Sequence, residues 1–224
     1  MKIPERILKK VEKPARYTGG EWGQIVKDKN TVDVRFAFCF PDTYEIGMSN
    51  LGVRILYDVL NARADTWCER VYAPWVDMEA GMREEHIPLW AHESGDPVSE
   101  FDIVGFSLQY ELCYTNVLNM LELAGIPLLA AERGDDAPVV VGGGPCTYNA
   151  EPIADYFDLF MRARRSSASW FPFTRNTKSG AFGRRRFCMR RQRSRAFMSP
   201  LFMRFPITIT ARSLPFRRNM TTFR

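Results

Sequence analysis

The chain has 224 residues, 46% hydrophobic and 25% charged, with a formal net charge of +5. No apolar run reaches the ~18–20 residues that span a bilayer, and the opening MKIPERILKKVEKPARY is polar, unlike a secretory leader. A membrane-embedded or secreted protein is therefore not expected. The five cysteines (Cys39, Cys68, Cys113, Cys146, Cys188) have no tight spacing, so free thiols in a reducing cytoplasm are expected rather than a disulfide framework or a zinc site.

The net charge hides a sharp split. Residues 1–160 hold 14 Lys+Arg and all 26 Asp+Glu, a net of −12. Residues 161–224 hold 17 Lys+Arg and no acid, a net of +17. Ordinary globular segments mix both signs. Three units are therefore expected: an N-terminal arm (1–30), a folded domain (31–160) and a poorly structured basic tail (161–224).

Residues 1–30 are basic, then turn-rich. Thr31 to Phe40 (TVDVRFAFCF) is β-branched and aromatic, as in a buried strand ended by Pro41. A loop, DTYEIGMSN, follows. Ser49 or Asn50 then caps a helix with Val53, Ile55, Leu56, Val59 and Leu60 at helical spacing. Trp67–Ala73 reads as a strand and Asp77–Glu85 as a helix. Phe101–Leu108 reads as a strand, and Thr115–Leu123 as a helix closed by Gly125. Ala137–Val141 is a strand running into Gly142-Gly143-Gly144, and Pro152–Phe160 begins another helix. This alternation implies βαβ units: an α/β, Rossmann- or flavodoxin-like parallel sheet with helices on both faces.

Ligands of such sheets collect beyond the carboxyl ends of the strands. Three loops qualify: Asp42 to Asn50, Ser107 to Glu111, and Gly142 to Thr147. Glycine at a strand end lets a ligand approach the backbone, although tight βα turns need glycine in any case. Asp42 reads equally well as a turn residue, and Ser107 as a partner for a strand-end amide. Trp22, Trp67, Trp75 and Trp90 read as packing. His86 and His92 read as solvated, and Cys39 and Cys113 as buried thiols.

At these loops the sequence resembles a known family. FPDTYEIGMSNLGVRILYDVLN, CERVYAPWVDMEAGM, EFDIVGFSLQYELCYTNVLNMLELAGIPL and VVVGGGPCTYNAEPIADYFDLF are similar to the N-terminal domain of B12-binding-domain radical SAM proteins, and the likeness covers about residues 1–160. It implies a flavodoxin-type module placed before a barrel. There a CxxxCxxC motif holds a [4Fe–4S] cluster that cleaves S-adenosylmethionine. No CxxxCxxC occurs in this chain, so neither the cluster nor S-adenosylmethionine is expected to bind it, and it is expected to be a truncated module, inactive alone.

The resemblance also implies a cobalamin site. Asp42 and Gly47 stand where a DxHxxG motif would begin and end, with Tyr44 in the place of the cobalt-binding histidine. Met48 and Asn50 complete that loop. Ser107, Gln109, Gly142, Gly143, Gly144 and Pro145 resemble the motifs that line a corrin's nucleotide tail. A phenol is a poor cobalt ligand. The expectation is either base-on corrinoid binding or a B12-like fold without B12.

After FDLF the family continues G-E-G-E-E, whereas this chain reads MRARRSSASW. Shifting the reading frame allows Met161–Trp170 to be re-read as EGEEVIREL and Gln192–Ala211 as KIEGVYVPALYEVSYNDNG. The tail is therefore expected to be out of frame. The competing reading is a free-standing corrinoid- or nucleotide-binding module whose arginine clusters contact nucleic acid without sequence preference. Only non-specific adhesion is expected from the tail, and no membrane partner.

Overall fold

The computed structural model describes residues 3–163 and 207–211. In chain order these form helix α1 (Glu5–Leu8), strand β1 (Val34–Phe40), helices α2 (Tyr44–Ser49) and α3 (Leu51–Asn61), strand β2 (Thr66–Tyr72) and helix α4 (Val76–Glu84). Strand β3 (Ile103–Ser107), helix α5 (Tyr114–Leu123) and strands β4 (Val139–Gly143), β5 (Leu159–Ala163) and β6 (Ile207–Ala211) follow. The sheet order is β2-β1-β3-β4-β5-β6. The first five strands are parallel, and β6 adds to β5 in the antiparallel sense. The fold is the expected parallel α/β sheet.

Successive strand residues point to opposite faces, and both faces are covered. Ala37, Cys39, Val104, Phe106 and Val140 share a cluster with Met78 and Met82 of α4 and Val117, Met120 and Leu121 of α5. Phe36, Phe38, Phe40, Ile103, Val139 and Val141 pack on the other side with Val53 and Tyr57 of α3. All seven residues of β1 are buried, which explains why TVDVRFAFCF shows no polar alternation. The N-terminal segment is part of this packing, with Ile7, Val11 and Tyr17 buried in the first cluster.

Two elements differ from expectation. DTYEIGMSN is a short helix, α2, and not an open loop. Asp42 accepts the Thr43 N–H at 2.7 Å, and Gly47 lies against the Tyr72 ring, where a Cβ would not fit. Pro152–Phe160 is not a helix. A 3₁₀ segment, Glu151–Tyr156, gives way to β5, because Leu159 and Phe160 pair with Val141 and Gly142 of β4. That pairing sets the extended conformation at the end of the segment. Asp158 secures the approach: its Oδ2 accepts the Val140 N–H at 2.8 Å and Arg133 Nη1 at 3.1 Å.

Among the described residues no helix is long and apolar enough to cross a membrane. The re-read stretches of the tail fall, apart from Met161–Ala163 and β6, outside the described residues.

Candidate functional site

Parallel strands put their carboxyl ends on one edge. The order β2-β1-β3-β4-β5 reverses direction between β1 and β3, and the crevice above such a switch point is where open α/β sheets hold ligands. The segments after β1, β3 and β4 line this crevice. The Tyr110 hydroxyl donates to Asp42 Oδ2 at 2.7 Å, tying the β3 loop to the β1 loop. That bond is the main reason the Tyr110 phenol is pushed up to about 12. Asn116 Nδ2 adds a second tie to the Pro41 carbonyl at 3.0 Å. Beside them Gln109 Nε2 donates to Ser107 Oγ at 2.6 Å.

The glycine run is mostly engaged by the protein itself. A Cβ on Gly142 would stand 2.8 Å from the Phe160 ring. Gly144 has φ +106°, and a Cβ there would stand 2.6 Å from the Leu108 carbonyl oxygen. Gly143 differs: its nearest neighbour would be the Phe106 oxygen at 3.9 Å, an ordinary contact. Its own carbonyl accepts the Leu108 N–H at 2.6 Å. Pro145 opens the next 3₁₀ turn and is exposed.

The structure thus divides the candidate residues. Asp42, Ser107, Gln109 and Gly143 lie at or just beyond the carboxyl ends of β1, β3 and β4, with Gly144 and Pro145 following β4. Tyr44, Gly47 and Met48 turn toward β2 instead. The Tyr44 ring meets Tyr72 edge-on at 5.5 Å and His92 at 5.5 Å. Met48 Sδ receives the Tyr72 hydroxyl at 3.0 Å and Arg70 Nη1 at 3.1 Å. Asn50 is the cap of α3, accepting the Val53 N–H at 3.1 Å.

Under α2 lies a buried polar cluster that residue patterns did not reveal. Glu93 has a fully buried side chain. It accepts the Arg70 N–H at 2.7 Å and Arg70 Nε at 2.6 Å. Burial pushes its carboxyl up, opposed by Arg70. The His92 side chain is only 6% exposed, with Nδ1 3.7 Å from Glu21. Burial first, then Arg70, holds it at about 4 against the pull of Glu21, so it is neutral near neutral pH. The His92 side chain is therefore buried and not solvated, whereas His86 is exposed. The available signal was Glu69-Arg70 inside an otherwise buried strand, TWCERVY. Charges there need internal partners, and Glu69 pairs with Arg35.

The tryptophans also divide. Trp67 and Trp90 are buried at 3% and 7% exposure, whereas Trp22 is fully exposed and does not pack as expected, and Trp75 is partly exposed beside the Arg16 guanidinium. Cys39 and Cys113 are buried, as read.

Among the described residues neither implied metal group finds a matching donor set. Cys39 and Cys68 are strand residues whose thiols burial pushes far from the thiolate that a cluster requires. Among the described residues no group of three or more His, Cys, Asp or Glu is placed to hold a metal ion. Tyr44, in the position of a cobalt ligand, is committed to Tyr72, His92 and Glu21.

Comparison with known proteins gives one family and one relative. The family described as radical SAM proteins, N-terminal, matches residues 52–193. The match includes Ser107, Gln109 and Gly142 to Pro145, and begins after Asp42, Tyr44, Gly47, Met48 and Asn50. An uncharacterized protein of Methanocaldococcus jannaschii, MJ0966, is 25% identical over 126 residues, which are 56% of this chain and 22% of that protein. The aligned stretch thus spans about a fifth of that relative's length. No solved structure matches.

Proposed function

This chain belongs to the family of N-terminal regions of radical SAM proteins, and from that premise we propose that it is an accessory α/β module which presents the β1–β3–β4 crevice to the chemistry of such a protein. In full-length members the family implies a [4Fe–4S] cluster and S-adenosylmethionine. This chain's own residues would shape, orient and shield what lies in the crevice. The carrying observation is that the family match and the switch-point crevice coincide at Ser107, Gln109 and Gly142–Gly144. Residence in a reducing cytoplasm accords with the four free cysteines among the described residues.

A finer reading is a small-molecule cofactor at the strand ends, of which base-on cobalamin is the form compatible with an occupied Tyr44. Ser107 Oγ, Gln109 and the space beside Gly143 would receive the nucleotide tail. The free-standing corrinoid- or nucleotide-binding module is the alternative with the same crevice. A hydroxocobalamin titration of the full chain, read by its visible spectrum, tests both. Saturable binding, weakened about tenfold or more by Ser107→Val, is the result expected of a corrin site. Titration without saturation would reduce the reading to a structural module.

For the tail the reading is a shifted frame, supported by the missing acids after Asp158. The encoding DNA downstream of the Phe160 codon decides it. An alternative frame that stays open into a CxxxCxxC triad is expected, and stops in every other frame would overturn it.

A further inference from the structure

A second cleft lies beyond the carboxyl ends of β1 and β2, separate from the β1–β3–β4 crevice. Its walls are mostly aromatic: Tyr44, Tyr72, Trp75, Trp90 and His92, with the Arg16 guanidinium at one side. The enclosed part is about 20 Å³, within about 360 Å³ of space that includes its open mouth. Space of the enclosed size holds one water or a head group as small as a carboxylate. Any larger body would have to lie in the open mouth, against the aromatic walls.

The polar groups of the cleft are incompletely satisfied. Arg16 Nε donates to Glu45 Oε1 at 2.8 Å. Arg16 Nη1 is buried and makes no hydrogen bond of good geometry, although the Tyr17 hydroxyl lies near the guanidinium. The same guanidinium lies 5.6 Å from the Trp75 ring centre, which holds it in place. His92 Nδ1 is likewise buried without a hydrogen bond. A buried donor without a partner is costly, and more so when charged, so an acceptor placed there is favoured. Trp75 is 43% exposed, which leaves a flat apolar wall at the entrance.

We propose that this cleft binds a small aromatic carboxylate, with the carboxylate on Arg16 Nη1 and the ring between Trp75 and the tyrosines. A guanidinium with an unsatisfied N–H selects the anion. The aromatic walls select a flat body, and their positive ring edges tolerate negative charge nearby. Glu45 competes for the same guanidinium, but its side chain is 45% exposed, so it can give way to water.

Benzoate titrated into the full chain, followed by calorimetry and by tryptophan fluorescence, is the test. Saturable binding is expected, with benzamide, its uncharged analogue, about tenfold weaker or worse. Arg16→Gln should lose binding by a similar factor with unchanged circular dichroism. Glu45→Gln should tighten it by removing the competing carboxylate. No saturation with benzoate, equal binding of benzamide, or an affinity unaltered in Arg16→Gln would each overturn the proposal. Should Arg16→Gln fail to fold, Glu45→Gln decides: weaker or unaltered benzoate binding would overturn it.

Discussion

Glu93→Ala is expected to destabilise the domain by about 3–5 kcal/mol, the cost of stranding a buried charge. Glu93 is the chief counter-charge of Arg70, whose side chain is only 10% exposed. With Glu93 gone, Arg70 keeps the Met48 sulfur at 3.1 Å, Glu21 at 3.4 Å and the Tyr57 ring at 4.7 Å. None of these replaces two short charge-assisted bonds. A domain is stable by only about 5–15 kcal/mol, so the loss is a large share of the total. Urea unfolding should shift its midpoint down by roughly 2 M. The Arg70→Met/Glu93→Leu pair should recover much of the loss, because the desolvation cost disappears with the charges. Glu5→Ala, which breaks an ion pair exposed on both sides, is the control and should leave the midpoint in place. A midpoint unmoved by Glu93→Ala would mean that water reaches this cluster.

Gly144→Ala and Gly143→Ala should separate sharply, although the two residues are adjacent. Gly144 has φ +106°, where an L side chain is strained, and its Cβ would stand 2.6 Å from the Leu108 carbonyl oxygen. A backbone atom cannot swing away as a side chain can. The Leu108 carbonyl also accepts the Cys146 N–H at 3.2 Å, so moving it breaks a second contact. A loss of about 2 kcal/mol or more is expected for Gly144→Ala. Gly143→Ala meets ordinary contact distances and should stay within about 0.5 kcal/mol. Thermal unfolding of the two variants reads the difference. If both were equally mild, the β4 turn would be more pliable than its geometry indicates. Gly143→Ala is therefore also the cleaner probe of ligand approach, since it alters the crevice without disturbing the turn.

Much of the architecture was legible in residue patterns. The strands TVDVRFAFCF, FDIVGFSL and APVVV lie within three residues of β1, β3 and β4, because β-branched and aromatic runs suit a sheet buried on both faces. The helix after Asn50 was marked by its cap, and Gly125 closes α5 at φ +68°. The misread elements were those whose conformation depends on distant partners. Tyr44–Ser49 is helical, with Gly47 seated on Tyr72. Leu159–Ala163 is a strand because β4 offers an open edge.

The candidate site was legible by position but not by orientation. Loop placement after β1, β3 and β4 follows from βαβ connectivity, so Asp42, Ser107, Gln109 and Gly143 could be named from order alone. That Tyr44 and Met48 face β2 could not, since the direction of a side chain within a short helix depends on what packs beneath it. Nor could the Arg70–Glu93 and His92–Glu21 pairings. They join residues 23 and 71 positions apart, and their charges read locally as solvated. The sequence by itself determined the parallel α/β class, the three crevice loops and the change of character after Phe160, because these depend on local spacing and composition. Only the tertiary structure decided which glycines the chain needs for its own packing, which histidine is buried, and that an arginine from the N-terminal segment stands over the end of β2, because such facts follow from contacts between residues far apart in the chain.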